Sequence, residues 1–287
     1  MNIFLLLQIN WSPNETLFEI GSFGLHYYSL MFVLAFTIGY RIVEKYFMAE
    51  GVSKDYLEPL FVFMVFSTLI GARLGEVFFY SWDYYQNHLL EILLPIRENS
   101  NKFLFGFVKG YEFTGFRGLA SHGAAIGIIS GIIIFQLKYK LKSTLWVFDR
   151  LTVPVSLGGV FIRLGNFINS EILGIYTGSN YGVVFQNRGE ILPRHPAQLY
   201  ESLGYLILFL ILRKVYPKVN HISGYLLGIF LSGIFSIRFL VEYVKESQGG
   251  FEENLPFLST GQWLSIPLII SGLLIILWAK YRKTSLG

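Results

Sequence analysis

The apolar residues of this chain run in long blocks rather than in the alternating or one-faced patterns of a water-soluble fold. A helix needs about 20 mostly apolar residues to cross the hydrocarbon core of a bilayer. Seven stretches reach that length, at roughly 27–47, 57–80, 119–137, 144–168, 196–213, 222–243 and 261–280. Arg213 and Lys214 cut the fifth of them short. The pattern predicts an all-α polytopic membrane protein, a single transmembrane domain without an internal repeat. Two connecting segments, 81–118 and 172–195, are long enough for structure of their own. The first spaces aromatics among charges and suits a position along the membrane interface. The second, through "NYGVVFQNRGEILP", reads as a short strand, a turn and another strand.

Composition agrees with this picture. The chain is 53% hydrophobic and only 15% charged, against about 25% charged in a soluble domain. It has no cysteine, which removes disulfides, a thiolate metal site and a protein-borne cysteine nucleophile. The start, "MNIFLLLQINWSPNE", lacks a basic n-region, so no cleaved signal peptide is expected. Charge placement then sets the sidedness. Arg41, Lys45 and Lys54, "KYKLK" at 138–142, Arg213, Lys214 and Lys218, and Lys280, Arg282 and Lys283 follow the odd-numbered stretches. The N-terminal tail has no Lys or Arg, and the 244–260 connection holds only Lys245 among glutamates. Cytoplasmic loops are enriched in Lys and Arg, so the N-terminus is expected outside and the C-terminus inside. Arg97, Lys102, Lys109 and Arg117 in 81–118 blur the bias, but long loops translocate despite their charge. The net charge of +4 thus reports topology rather than nucleic-acid binding.

With that orientation, the polar residues inside the apolar blocks collect at their outer ends, while the inner halves read as apolar. Several have structural explanations. Arg73 and Glu76, or Arg238 and Glu242, are spaced as intrahelical ion pairs. Phe78, Phe79 and Tyr80 suit an interfacial belt. Gly123, Gly127 and Gly131 suit close helix packing, and His195–Pro196 suits a helix start. Arg163 and Arg238 stand apart, because an arginine at the centre of a spanning helix costs about 2.5–3.5 kcal/mol on insertion scales. Arg163, Asn166 and Asn169 or Ser170 also recur at near-helical spacing, as one polar stripe. Guanidinium groups grip phosphate through forked hydrogen bonds, and a phospholipid phosphate sits at that depth. His122, followed by glycine, is placed to take a proton near neutral pH or simply to hydrogen-bond a lipid. An organic-anion transporter would want polar residues through the whole depth and paired repeats, which the pattern does not offer.

These segments resemble the bacterial prolipoprotein diacylglyceryl transferases. The resemblance rests on "RLGNFINSEILG" at 163–174, "HGAAIG" at 122–127, "RHPAQLYE" at 194–201 and "RFLVEY" at 238–243, with "GARLG" at 71–75, "YYSLMF" at 27–32 and "GQWLSIP" at 261–267 in order. Ala124 and Ile162 replace glycines of the family pattern, and 81–118 matches poorly. The resemblance implies transfer of a diacylglyceryl group from phosphatidylglycerol to the lipobox cysteine of a prolipoprotein, with release of glycerol 1-phosphate. It also implies a multi-pass protein of the bacterial inner membrane whose site faces outward, with no cofactor or metal. Carried over by motif, the site comprises His122, Arg163 and Arg238 as catalytic residues. Tyr28, Asn166, Glu171, Gly174 and Glu242 join the two arginines in binding substrate, with Glu242 fixing Arg238.

Overall fold

A computed structural model describes residues 8–20, 23–104, 106–114, 118–247 and 257–286. Arg117 and the side chain of Lys283, both used in the charge count, lie outside the described residues. Nine α-helices form among those described: α1 (Tyr27–Ala49), α2 (Leu57–Phe79), α3 (Trp82–Tyr85), α4 (Leu90–Leu93), α5 (Ser121–Tyr139), α6 (Thr144–Ile168), α7 (Ala197–Val219), α8 (Tyr225–Val241) and α9 (Thr260–Leu286). Five described helices, α2, α5, α6, α8 and α9, are long and apolar enough to cross a membrane. Helices α1 and α7 match them in length at 23 residues each, with Arg41, Glu44 and Lys45 gathered toward the end of one and Glu201, Arg213, Lys214 and Lys218 spread along the other.

The chain divides into two compact units, Met1–Ala49 with Leu145–Gly287, and Glu50–Thr144. In the first unit a buried core joins Tyr46 of α1, Val153 of α6, Leu208, Phe209, Leu212 and Tyr216 of α7, and Leu226 of α8. Tyr46 and Tyr216 stack at 3.7 Å between ring centroids. Helix α9 begins with a capping box that the sequence carries as Ser-x-x-Gln. The Ser259 Oγ accepts from the Gln262 backbone N–H at 3.2 Å, and Gln262 Oε1 accepts from the Ser259 N–H at 3.0 Å, so the helix start satisfies two orphan donors reciprocally.

The all-α expectation needs one correction: three two-stranded sheets accompany the helices. Strand β1 (Gln8–Trp11) runs parallel to β6 (Gly182–Phe185), β2 (Thr16–Ile20) pairs antiparallel with β3 (Phe23–His26), and β4 (Ile96–Leu104) with β5 (Val108–Phe113). The expected hairpin within 172–195 is half met. Its first strand forms as β6, whose strand partner is β1 near the start of the described chain. The stretch after it is a 3-10 turn over Gln186–Arg188, and the returning chain meets β6 through one antiparallel bridge, Val183 with Arg194. Trp11 locks the pairing by donating from Nε1 to the Phe167 carbonyl at 3.0 Å. Residues 8–11 are therefore part of the cap over the end of α6.

In the second unit α2 and α5 pack with their backbones in near contact. A Cβ at Gly71 would stand 2.7 Å from the Gly127 Cα, and one at Gly75 would stand 2.6 Å from the Gly123 Cα. The glycine spacing is thus helix packing, as the sequence suggested. Arg73 does something other than pair along its own helix. Its Nε donates to the Ile92 carbonyl at 3.0 Å and its Nη2 to the Glu91 carbonyl at 2.5 Å, and its guanidinium lies 4.7 Å over the Tyr85 ring. The described residues of the 81–118 segment accordingly form a folded arm anchored on α2, made of α3, α4 and the β4–β5 hairpin.

Candidate active site

Helix α6 delivers the polar stripe. Arg163 and Asn166 sit on its last turns, and the chain then reverses through Ser170 and Ile172, both at positive φ (52° and 57°). Such a backbone is uncommon for a non-glycine residue and rare for a β-branched one. The reversal swings Glu171 back so that its N–H bonds the Asn166 carbonyl at 2.9 Å. Its carboxylate accepts from Asn166 Nδ2 at 3.0 Å and from Asn169 Nδ2 at 3.3 Å. Asn166 Oδ1 in turn accepts from Arg163 Nη1 at 3.3 Å. Gly165 leaves room for Tyr28, whose ring carbon would lie 2.6 Å from any Cβ there, and the Tyr28 hydroxyl end faces Asn166, Glu171 and Arg163.

Arg163 is held from the opposite side by a residue not singled out from the sequence. Glu201 on the first turns of α7, 1% exposed, places Oε2 at 2.5 Å from Arg163 Nε. Gln198, one turn earlier, donates to the Glu171 carbonyl at 2.5 Å, and Ser202 bonds the Val160 carbonyl at 3.3 Å. Proline at 196 starts the helix that carries them, as expected, with Leu199 and Tyr200 N–H groups closing on its carbonyl. A carboxylate five residues into an apolar helix was the available signal for Glu201.

Arg238 reaches the same cluster from α8. Tyr205 of α7 lies within electrostatic reach of Glu201, Arg163 and Arg238. Lys245, just past α8 and 7% exposed, faces Glu201, Glu242 and both arginines. Glu242 was expected to fix Arg238. Its Oε2 instead lies 3.4 Å from Lys245 Nζ, while Gly261 of α9 packs against its carboxylate. Arg238 Nε is buried without a protein partner, as are Glu201 Oε1, Gln198 Oε1 and Trp263 Nε1. Counting Glu171, the cluster pairs three cations with three carboxylates. Its capacity for an anion therefore lies in oriented donors such as Arg238 rather than in a surplus of charge.

Gly174 joins the two halves of this wall. Its N–H bonds the His195 carbonyl at 3.1 Å, the neighbouring Ile175 N–H bonds the Val244 carbonyl at 2.9 Å, and Glu246 N–H returns to Leu173 at 3.0 Å. A Cβ at 174 would meet the Val244 oxygen at 2.7 Å, so only glycine lets the 172–195 segment lie against the end of α8. Arg194 fastens the segment, donating to the Gly174 carbonyl at 2.9 Å and pairing with Glu190 at 2.8 Å. That contact holds the Glu190 carboxyl below its ordinary range. His122 belongs to the other unit, exposed on the first turn of α5. Among the described residues no group of three or more His, Cys, Asp or Glu gathers as a metal site would.

The far end of α6 corrects a second expectation, that the ends of the apolar stretches away from the polar cluster are apolar. Asp149 and Arg150 on the second turn of α6 are 0% and 1% exposed. Asp149 caps α8, accepting from the Gly224 and Leu227 N–H groups at 2.7 and 2.8 Å. Arg150 donates to the Asn220 carbonyl at 2.7 Å and lies 4.2 Å over the Trp146 ring.

Helical length, apolar composition and this buried guanidinium–carboxylate cluster define a multi-pass membrane protein with a polar site at one end of its helices. Residues 15–278 match the family model of prolipoprotein diacylglyceryl transferase, and the chain belongs to that family. It is 41% identical over 283 residues to a Bacteroides fragilis protein, covering 98% of both chains. It is 40% identical over 283 residues to one from Chloroherpeton thalassium, covering 96% of this chain and 98% of that one. Over 274 residues it is 35% identical to one from Tolumonas auensis, covering 95% and 98%. All three are named phosphatidylglycerol–prolipoprotein diacylglyceryl transferase.

Proposed function

We propose that this chain transfers the diacylglyceryl group of phosphatidylglycerol to the lipobox cysteine thiol of a prolipoprotein, the first step of lipoprotein maturation. The observation that carries the reading is Arg163 held by the buried Glu201 carboxylate, with Arg238, its Nε buried and unpartnered, in electrostatic range of the same Glu201 neighbour Tyr205, in a chain of this family. In the reaction the cysteine sulfur attacks the glyceryl carbon that bears the phosphate. A C–S bond forms, the C–O bond breaks, and the departing glycerol 1-phosphate keeps the electron pair. Fixed donors aimed at charge that develops in the transition state are worth most where water is excluded. Arg163, aligned by Glu201 and Asn166, and Arg238, with its buried Nε open, supply those donors to the phosphate. Asn166, Glu171 and Tyr28 orient the headgroup, and Glu242 steadies this end of α8 through Lys245.

The thiol must lose its proton, since thiolate is the nucleophile and a free thiol has a pKa of about 8.5. We assign that step to His122. The Lys/Arg distribution supports seven spans with the N-terminus outside, α1 and α7 supplying the two more polar spans, and the site on the outer face of the inner membrane. Purified protein incubated with phosphatidylglycerol and a lipobox peptide is expected to yield the thioether peptide, and no product would end the proposal. In the same assay His122→Gln is expected to recover part of its lost rate between about pH 6.5 and 9 as thiolate forms unaided. A constant rate ratio would transfer thiol activation to the arginine field.

A further inference from the structure

The 81–118 arm carries an apolar tip that the transferase reading leaves unused. Its base is fixed. Arg73 bonds the carbonyls of Glu91 and Ile92, and Glu91, 3% exposed, accepts from the Tyr84 hydroxyl at 2.9 Å and the Glu98 N–H at 2.7 Å. From that base the β4–β5 hairpin runs out to a turn closed by the Phe107 N–H on the Leu104 carbonyl at 3.0 Å, with Gly106 at φ 80°. At the tip Phe103 is 55%, Phe107 88% and Val108 51% exposed. Lys102 and Lys109, both exposed, flank them, and Lys109 stands across the ladder from Phe103. An isolated two-stranded hairpin is marginal in water, and this one presents its largest side chains to solvent.

We propose that this tip is a lipid anchor, with Phe103, Phe107 and Val108 entering the headgroup–acyl boundary while Lys102 and Lys109 engage anionic headgroups. Aromatic and aliphatic side chains bracketed by basic ones suit that boundary. The rings tolerate it, and lysine stems lie along apolar surface while their ammonium groups stay at the phosphate level. The arm is continuous with α2 and α5, both apolar enough to span, so its base is held at the membrane surface. Charge complementarity selects anionic lipid over a neutral apolar peptide. The inference does not depend on the transferase reading.

The absence of cysteine makes the test clean. Single variants Phe107→Cys, Val108→Cys and, as an aqueous reference in the other unit, Asn180→Cys would carry a nitroxide. The full chain would be reconstituted in nanodiscs of phosphatidylglycerol or of phosphatidylcholine. Collision accessibility to oxygen and to a water-soluble nickel chelate would then be read. At 107 and 108 the oxygen-to-nickel ratio is expected to rise several-fold above that at 180 in phosphatidylglycerol. The rise should shrink in phosphatidylcholine and when Lys102→Glu and Lys109→Glu are added. Ratios at 107 and 108 equal to that at 180 in both lipids would overturn the proposal. Shielding that appears only when a lipobox peptide is added would also overturn it, in favour of a polypeptide docking site.

Discussion

The two ends of the first unit hold buried charge in opposite ways. At one end Asp149 and Arg150 spend their hydrogen-bonding groups on backbone, capping α8 and tying α6 to the Asn220 carbonyl. At the other, Arg163 and Glu201 pair at 2.5 Å, yet Arg238 Nε, Glu201 Oε1, Gln198 Oε1 and Trp263 Nε1 keep unused capacity. A buried polar group left unsatisfied costs roughly 1–3 kcal/mol, so an architecture tolerates several of them together only where something else compensates. The first end is built for holding helices, the second for meeting an anion. Burial alone does not separate them, but the destination of the hydrogen bonds does.

That contrast can be broken most severely at Glu201. Glu201→Gln leaves Arg163 buried without its counter-ion, and breaking a buried pair costs about 3–5 kcal/mol. Initial rates per folded molecule are expected to fall about 100-fold or more; a near-normal rate would mean Arg163 is aligned by Asn166 alone. Arg150→Ala tests the other end. It should lower stability by about 2–4 kcal/mol in thermal or denaturant unfolding while turnover per folded molecule stays unchanged. A turnover loss there would dissolve the distinction. Arg163→Lys and Arg238→Lys sharpen it, because lysine keeps the charge but not the planar fork. Each should lose at least about tenfold in rate, about 1.4 kcal/mol of barrier, with little change in unfolding.

The smallest expected effect concerns the cap. Arg194 and the Tyr176 hydroxyl hold Glu190 at 2.8 Å each, and its carboxyl is depressed. Its contribution is therefore complete above the ordinary carboxylate pKa of about 4.3 and is lost as pH falls through the lower folded value. Amide exchange over 174–195 should quicken at acid pH once exchange chemistry is corrected for. In Glu190→Gln the segment should show no such pH dependence.

How much of this was legible follows from where the information lies along the chain. The helices were legible because apolar length is local, and Arg163 with Asn166 because a guanidinium and an amide repeat on one helical face. Asp149 and Arg150 lie inside the 144–168 stretch and drew no reading of their own, since only the fold brings the α8 N-terminus to them. Glu201 stood inside a quoted motif, but its role depends on Arg163, 38 residues earlier (201 − 163), across two helices. Strand β1 was hidden for the same reason, its partner β6 lying far along the chain. Arg73 and Glu76 looked like a helical pair because spacing permits it, and the arm offered Arg73 better acceptors.

The contact between α2 and α5 bears on how a mutational scan of this protein would read. At Gly71, Gly75, Gly123 and Gly127 any added side chain would meet neighbouring backbone, so nearly every replacement there should register as a loss. In a growth-based screen those positions would be as intolerant as Arg163, for reasons of packing. A heat map scored on survival alone would not separate that packing stripe from residues that act in the reaction. Scoring protein abundance beside turnover would lower the glycine stripe in both channels and leave charge-keeping replacements such as Arg163→Lys depleted in turnover only.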